Sequence, residues 1–304
     1  MAASRARAIA IVGTNASGKS ALGVAVALRF GGEIISADSR QVYRGLDIGT
    51  GKLTRGEMQG IRHHLIDVMD LETRYSVADF QKSAYGLIGE ITARGRLPII
   101  VGGTGLYVRS VVDGYQLTRA QPDLALRDRL ERLTNEELHG LLSELAPDAA
   151  QTIDPRNRRR IIRAVEIGQQ GFAFKTSHVN APQYNICQLG LTWPRDVLRE
   201  RIKSRLRARF DEGMVQEVQN LVSAGVSFSR LEGLGLEYRF VARFLQGEYA
   251  SEEELFEELG RAIYRFAMRQ LAWFRRDKSI IWLDHAKDYR QQAFGLIDDF
   301  IGQP

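Results

Sequence analysis

Hydrophobic residues in the first third of the chain come in short runs, and each run is followed by small or polar residues. Residues 8–12, 33–38 and 97–101 form runs of this kind, which predict buried β-strands. Residues 20–30 and 80–94 have the apolar spacing of helices. Buried strands that alternate with helices indicate an α/β protein whose parallel sheet is covered on both faces.

The pattern changes after about residue 114, where strand-like runs give way to helical periodicity. Residues 124–145 and 158–168 have this periodicity, with prolines at 122, 147 and 155 as breaks. Residues 186–192 and 280–283 predict two further strands, and Pro194 begins a long amphipathic helix. We therefore predict a core formed by residues 1–118 and 192–304, with a mainly helical insertion at residues 119–191.

Composition and cysteine content narrow the class of protein. Hydrophobic residues make up 44% and charged residues 26% of the chain, which argues against a disordered or fibrous protein. The single Cys187 cannot form an internal disulfide or share a zinc ion with a second cysteine, which favours a reducing compartment. No apolar run approaches the ~20 residues of a membrane span. We expect a cytoplasmic protein without membrane contact.

Positive charge is concentrated in two segments. Lys and Arg outnumber Asp and Glu by 42 to 37, and arginines are dense at residues 156–163 and 195–209. The second segment could be a solvated helix face, but few of its arginines have an acidic partner at helical spacing. We therefore favour contact with RNA for these segments.

A phosphate-binding pattern follows the first predicted strand. Residues 13–20 match G-x-x-x-x-G-K-[ST] and lie between a strand and a helix, as the mechanism requires. Backbone amides and the helix N-terminus would hold a di- or triphosphate, Lys19 would add an ammonium group, and Ser20 would bind Mg²⁺. The predicted diphosphate-binding residues are Gly13, Thr14, Asn15, Ala16, Ser17, Gly18, Lys19 and Ser20. The core is thus predicted to be like that of a P-loop NTPase.

The reaction itself depends on residues outside this loop. The predicted strand at 97–101 runs into Gly102, Gly103 and Thr104 where an ATPase usually has an aspartate, so an ordinary ATPase is disfavoured. Asp38 ends another predicted strand, and strand ends open into the ligand crevice of a parallel sheet. Asp38 is our candidate general base; the alternative is that it only caps the following turn.

Seven motifs occur in an order that resembles one enzyme family. They are residues 13–20, DSRQVY at 38–43, DIGTGK at 47–52, HHLID at 63–67, YSVADF at 75–80, VGGTGLY at 101–107 and NRRRIIRAVE at 157–166. In these segments the chain resembles the tRNA dimethylallyltransferases of bacterial type, also called tRNA isopentenyltransferases.

The resemblance implies a reaction. The donor would be dimethylallyl diphosphate, the acceptor the exocyclic amine of the adenosine 3′-adjacent to the anticodon of tRNA, and diphosphate the leaving group. Mg²⁺ would be the only cofactor, the insertion would bind the anticodon stem-loop, and a monomer is expected. Asp38 and Thr104 would be catalytic. The residues implied to contact tRNA are Ser39, Gln41, Tyr43, Lys52, Arg160 and Arg163, although Lys52 could equally face solvent.

The C-terminal third departs from the family pattern. Glu237 replaces the glycine of a Gly-Tyr pair, and T-R-x-x-A-K-R-Q appears only as IYRFAMRQ at residues 263–270. Tyr264 therefore stands where an arginine near the diphosphate is expected. Arg239 or Arg265 is expected to take its place.

Other functions remain open at this point. An adenylate isopentenyltransferase would use AMP, but it would need neither the helical insertion nor the arginine-rich segments. A small-molecule kinase would use the same loop and Asp38, and an RNA-binding GTPase-like module would leave Asp38 unexplained. We expect His63 and His64 to be structural rather than metal ligands. Core packing is favoured over base stacking for Trp273, Phe274 and Trp282.

Overall fold

The computed structural model describes residues 5–118, 120–174 and 182–302. Strands and helices follow one another in the order β1 (Arg7–Gly13), α1 (Lys19–Phe30), β2 (Gly32–Ser36), α2 (Arg55–Met58), β3 (His63–His64), α3 (Val77–Ala93), β4 (Leu97–Gly102), α4 (Gly105–Val112), α5 (Leu124–Leu130), α6 (Asn135–Leu145), α7 (Pro147–Thr152), α8 (Arg158–Gln169), β5 (Asn185–Leu191), α9 (Arg195–Asp211), α10 (Met214–Ser223), α11 (Phe228–Glu232), α12 (Leu236–Leu245), α13 (Glu252–Phe274), β6 (Ile281–Trp282) and α14 (Tyr289–Gly302).

The strands form one sheet in the order β3-β2-β4-β1-β5-β6, and every pairing is parallel. β1 lies between β4 and β5, with Ile11 opposite Val101 on one side and Leu189 on the other. The predicted α/β fold with a parallel sheet is confirmed. The short β3 was not predicted, because its two histidines form no apolar run.

Both faces of the sheet are covered by helices. Ile9 and Ile11 point to the face packed by α1 and α14, whereas Ala10 and Val12 point to the face packed by α3 and α4. Successive strand residues alternate in direction, so a strand buried on both faces is apolar throughout. This arrangement leaves the carboxyl ends of the strands as the edge where loops can build a site.

A third apolar core joins the helices α9, α10, α12 and α13. Tyr238 of α12 is among its largest buried side chains and is 1% exposed. Val42, Tyr43 and Leu46 of the loop after β2 pack into the same core. This loop is therefore fixed by the C-terminal helices, although it is distant from them in sequence.

The chain divides into two compact units, one of Met1–Val112 with Pro182–Pro304 and one of Asp113–Ala181. The smaller unit contains α5 to α8, packed around Leu138, Leu142 and Ile161. The predicted insertion at 119–191 ends too late, because β5 pairs with β1 from Asn185 to Leu191 and belongs to the sheet. Residues 119 and 304, which bound two of the predicted stretches, lie outside the described residues.

Several smaller predictions can be compared with the structure. His64 contacts Glu33 at 2.7 Å and His63 contacts the Ile61 carbonyl at 2.9 Å, in keeping with structural roles. Phe274 is buried as predicted, whereas Trp273 is 37% exposed. Within the ranges that the structure describes, no helix is both long and apolar enough to cross a membrane.

Candidate active site

The phosphate-binding pattern forms the turn between β1 and α1. Gly13 is required by close packing, because a Cβ there would lie 2.4 Å from the Leu191 carbonyl oxygen. Gly18 caps α1 with φ at 95°, a left-handed conformation that favours glycine. The first turn of α1 thus presents free backbone amides at the carboxyl edge of the sheet.

Lys19 is the charged residue of this loop. Its Nζ donates a hydrogen bond to the Thr14 carbonyl at 3.1 Å. Burial and repulsion from Arg205 lower the pKa of Lys19 from 10.5 to about 8, although Asp38 opposes the change. A cation held in this way is stabilised by an incoming anion.

Gln270 of α13 ties the phosphate loop to the end of β4. Its Oε1 accepts a hydrogen bond from the Asn15 amide at 2.9 Å, and its Nε2 donates to the Gly103 carbonyl at 2.9 Å. The side chain is buried, so this bridge is shielded from water. Nothing in the sequence indicated this role beyond the residue's place in the divergent IYRFAMRQ segment.

Asp38 follows β2, where it caps a turn and also faces the pocket. Its Oδ1 accepts hydrogen bonds from the backbone amides of Arg40 at 2.8 Å and Gln41 at 3.4 Å, so it does cap a turn. The same residue lines the pocket beside the phosphate loop. The Ser39 amide donates to Thr104 Oγ1 at 3.2 Å, which brings the two predicted catalytic residues to neighbouring positions.

The pocket at this edge is open to solvent, and about 580 Å³ of space between its walls, solvent included, is not filled by protein atoms. It is lined from the phosphate loop, from Asp38 and Gln41, from the loop at residues 50 and 51, and from α9. The lining residues are Asn15, Ala16, Lys19, Ser20, Asp38, Gln41, Thr50, Gly51, Val101, Gly102, Ile202, Arg205, Leu206, Arg209 and Ile263. Residues of the predicted phosphate loop and the candidate general base, Asp38, therefore line one pocket.

One face of α9 supplies cations that sequence reasoning did not place here. Arg201, Arg205 and Arg209 are four residues apart, so they lie on the same face of the helix. Arg201 Nε donates to the Ala16 carbonyl at 2.9 Å and braces the phosphate loop. Arg205 and Arg209 line the pocket itself. The spacing was visible in the sequence, but nothing indicated which face of the helix meets the loop.

The loop at residues 47–51 positions these two arginines. Gly51 accepts a hydrogen bond from Arg205 Nη2 at 3.3 Å, and Gly49 accepts one from Arg209 Nη1 at 3.2 Å, both through their carbonyl oxygens. The other side of the loop is held by Glu217 of α10, whose carboxylate accepts from the amides of residues 47, 48 and 49. The D-I-G-T-G-K motif is thus a support for the pocket's cations.

Two basic residues on the opposite face of α9 are paired with acids. Arg207 lies 3.1 Å from Glu253, and Lys203 lies 3.6 Å from Glu257, both acids of α13. These two residues therefore have acidic partners that the spacing along α9 did not indicate, whereas contact of α9 with RNA stays a prediction. The partners come from a distant helix, which i, i+4 counting along one helix cannot detect.

Two of the residues implied to bind tRNA are buried. Tyr43 is 3% exposed within the core of the C-terminal helices. The Lys52 side chain is 6% exposed, and its Nζ bonds to Asp47, Asp67 and the Tyr43 carbonyl. Neither side chain is available to RNA in this structure, so these two assignments are corrected to structural roles.

The structure also corrects the predicted diphosphate-binding role of Arg239. Its guanidinium donates two hydrogen bonds to the Glu232 carbonyl, at 3.1 and 2.9 Å, and pairs with the Glu232 carboxylate at 3.1 Å. It is not among the residues that line the pocket. The arginines that line the pocket are Arg205 and Arg209.

The motif at residues 157–166 lies in the smaller unit, and its residues divide between two roles. Asn157 caps α8, and Arg163 bonds to the buried Glu166, which Arg127 also contacts at 2.7 Å. Burial would raise the pKa of Glu166, but the two arginines hold it below its usual range. Arg163 is therefore engaged in holding the unit together. Arg160 is exposed and remains a candidate for RNA contact.

A parallel sheet that delivers a glycine-rich loop to a helix N-terminus defines a phosphate-binding α/β protein. In this class the loop holds a di- or triphosphate, while the reaction is set by the groups facing it. Comparison with known proteins narrows the class. The model of the IPP transferase family matches residues 41–277 of the chain.

Proteins with this family's activity in their names resemble the chain over nearly its whole length. A tRNA dimethylallyltransferase of Heliobacterium modesticaldum is 44% identical over 306 residues, covering 95% of this chain and 93% of its own. The full-length tRNA isopentenylpyrophosphate transferase of Bacillus halodurans aligns with a TM-score of 0.71 and 39% identity, covering 97% of each chain. A eukaryotic dimethylallyltransferase acting on tRNA aligns with a TM-score of 0.83 and 25% identity, covering 98% of this chain and 80% of its own. The chain belongs to the IPP transferase family.

Proposed function

We propose that the protein transfers the dimethylallyl group of dimethylallyl diphosphate to the exocyclic amine of the adenosine 3′-adjacent to the anticodon in tRNA, releasing diphosphate. The observation that carries the proposal is that a carboxylate, Asp38, shares one pocket with Lys19, Arg205 and Arg209. Such a pocket offers cations to a leaving group and a base to a nucleophile. Membership of the IPP transferase family supports the same reaction.

The diphosphate is expected to lie against the phosphate loop. Lys19 and the amides at the start of α1 would hold its oxygens, with Arg205 and Arg209 facing them from α9. Thr14 and Ser17 support this assignment, because their buried hydroxyl oxygens find no hydrogen-bond partner among the described residues. Charge that grows on the diphosphate as it leaves would meet cations already in place.

The chemical step is a substitution at the allylic carbon. The bond from the amine nitrogen to this carbon forms while the bond from the carbon to the diphosphate oxygen breaks, and the leaving group keeps the electron pair. The amine proton passes to Asp38, whose Oδ1 is fixed by backbone amides. Thr104, bonded to the Ser39 amide beside Asp38, is proposed to orient the amine or the diphosphate.

The residues present also fit a magnesium ion. The Ser20 hydroxyl and the Asp38 carboxylate line the same pocket, and Mg²⁺ is commonly held by one or two protein oxygens together with substrate phosphates. When bound, Mg²⁺ would neutralise part of the negative charge on the diphosphate. Among the described residues no group of three or more His, Cys, Asp and Glu side chains is placed to hold a metal without substrate.

The acceptor is proposed to be tRNA rather than a free nucleotide. Arg159 and Arg160 of α8 are exposed, and a helical unit with exposed arginines is suited to phosphates of an RNA stem. We propose that the smaller unit binds the anticodon stem-loop and that the target base is flipped into the pocket. Action as a monomer in the cytoplasm belongs to the same proposal.

The test uses dimethylallyl diphosphate that carries a label in its prenyl group, in the presence of Mg²⁺, and measures which acceptor receives the label. The protein is incubated in parallel with unmodified anticodon stem-loop RNA and with AMP, and an Asp38→Asn variant serves as the matched control. We expect label in the RNA, loss of at least a hundredfold in rate for the variant, and unchanged RNA binding. Asn preserves the shape of the side chain and removes its basicity.

Other outcomes would redirect the assignment. Label in AMP would support the adenylate isopentenyltransferase. Label in neither acceptor, with ATP consumed when small hydroxyl compounds are supplied, would support a kinase. Turnover by Asp38→Asn near that of the wild type would show that Asp38 is not the base.

A further inference from the structure

Glu237 makes an ion pair with one of the pocket's arginines. Its Oε1 lies 3.1 Å from Arg209 Nη1, and the two side chains are 14% and 13% exposed. The same nitrogen of Arg209 donates to the Gly49 carbonyl at 3.2 Å. Glu237 is therefore a nearly buried negative charge in direct contact with one of the pocket's cations, although it does not itself line the pocket.

Both of these contacts are made by Nη1 of Arg209. Its Nε is buried and has no hydrogen-bond partner among the described residues. Among the described residues, Glu237 and Gly49 therefore both bind Arg209 through Nη1, and the side chain still lines the pocket. An anion in the pocket and Glu237 would act on the same cation from different sides.

The pocket has a strong excess of positive charge without this acid. Lys19, Arg205 and Arg209 all line it, and Asp38 is the acidic residue on its wall. A buried cluster of like charges binds anions tightly, because the anion removes their mutual repulsion. A neighbouring carboxylate already offsets part of this repulsion, so less binding free energy is gained when an anion enters the pocket.

We propose that Glu237 is a specificity-determining counter-ion that weakens the binding of free diphosphate more than the binding of its prenyl ester. This inference rests on the proposed function. Cleavage of the ester turns a bridging oxygen into an ionisable one, so the product can carry more negative charge than the donor. A fixed negative charge behind Arg209 disfavours the more highly charged ligand, and product release is eased.

Two substitutions of Glu237 separate the effect of its negative charge from its effect on the orientation of Arg209. Glu237→Gln keeps an oxygen that can accept the Arg209 hydrogen bond but removes the charge. Glu237→Asp keeps the charge but shortens the side chain. Glu253→Gln is the matched control, because it breaks the 3.1 Å pair with Arg207 on the outer face of the same helix.

The experiment measures binding of inorganic diphosphate by calorimetry and its inhibition of prenyl transfer, with the KM for the donor determined in parallel. For Glu237→Gln we expect the Kd and the inhibition constant of diphosphate to fall about five- to tenfold, with a smaller fall in donor KM. Glu237→Asp and Glu253→Gln are expected to bind diphosphate no more tightly than the wild type. Glu237→Ala gives a second uncharged variant if Glu237→Gln does not fold.

A purely structural role for Glu237 predicts the opposite sign. If the wild type binds diphosphate and transfers the prenyl group, but Glu237→Gln binds diphosphate equally or more weakly, then Glu237 only holds Arg209 and the inference is wrong. An equal fall in the constants for product and donor would also overturn it, since no discrimination would remain. Failure of the wild type to bind diphosphate at all would instead overturn the proposed function together with this inference.

Discussion

Lys19 should destabilise the protein in the absence of an anion, and this cost can be worked out from its pKa. The pKa is lowered from 10.5 to about 8, chiefly by burial and by repulsion from Arg205. At about 1.4 kcal/mol for each tenfold change, this lowering corresponds to an upper limit of about 3 kcal/mol near neutral pH. Replacing Lys19 by Met removes that cost but also loses the bond to the Thr14 carbonyl, worth about 1 kcal/mol. Lys19→Met should therefore be about 2 kcal/mol more stable than the wild type.

The pH dependence has a defined sign. Because the pKa of Lys19 is lower in the folded state than in the unfolded state, the folded protein binds fewer protons between pH 8 and 10.5. The stability of the wild type relative to Lys19→Met should therefore rise as the pH rises through this window. Below about pH 8 the full cost remains, since Lys19 is charged in both states.

Urea unfolding with and without excess inorganic diphosphate tests this account. Without diphosphate at neutral pH the variant should be the more stable protein, and with diphosphate the order should reverse, because only the wild type gains the ammonium contact. A variant that is clearly less stable than the wild type without diphosphate, with a gap that does not change with pH, would refute the reasoning. Lys19 would then stabilise the fold, and its buried charge would not be a cost to stability.

Three further predictions concern residues that the structure reassigns or leaves open. Gln270→Ala should lower stability by about 1–3 kcal/mol in urea unfolding, because the Asn15 amide and the Gly103 carbonyl lose a buried partner, and should raise the donor KM about tenfold. Lys52→Met should lower stability by about 1–2 kcal/mol yet leave the affinity for stem-loop RNA unchanged in filter binding, since its side chain is already bonded to protein. Arg160→Ala should weaken RNA binding a few-fold and reduce the salt dependence by about one phosphate contact, with diphosphate binding unaffected.

The parts of the site that could be predicted from the sequence are those built from one short segment. The phosphate loop needs its glycines, its lysine and its flanking strand and helix within a few residues, so residues 13–20 carry the whole signal. Asp38 was found by a similarly local argument, from its place at the end of a strand. The structure adds that Asp38 fixes a turn and lines the pocket at the same time.

The parts that could not be predicted depend on which distant surfaces meet. Arg205 reaches the pocket because α9 packs with one face toward the phosphate loop, and helical periodicity does not identify that face's partner. The acids opposite Arg207 and Lys203 lie on α13, some fifty residues further along the chain. The sequence therefore predicted an anionic partner for α9 but not the pocket that Arg205 and Arg209 line, and contact of α9 with RNA stays a prediction.

The same reasoning explains why some residues of the family-like motifs support the pocket without lining it. Lys52 closes the DIGTGK loop onto Asp47 and Asp67, while Glu217 holds its backbone amides from the other side. A loop fixed in this way presents its carbonyl oxygens to Arg205 and Arg209 and so helps to orient both side chains toward the pocket. The motif is thus needed for the site because of what it positions, and a substitution in it should act on diphosphate binding through the two arginines.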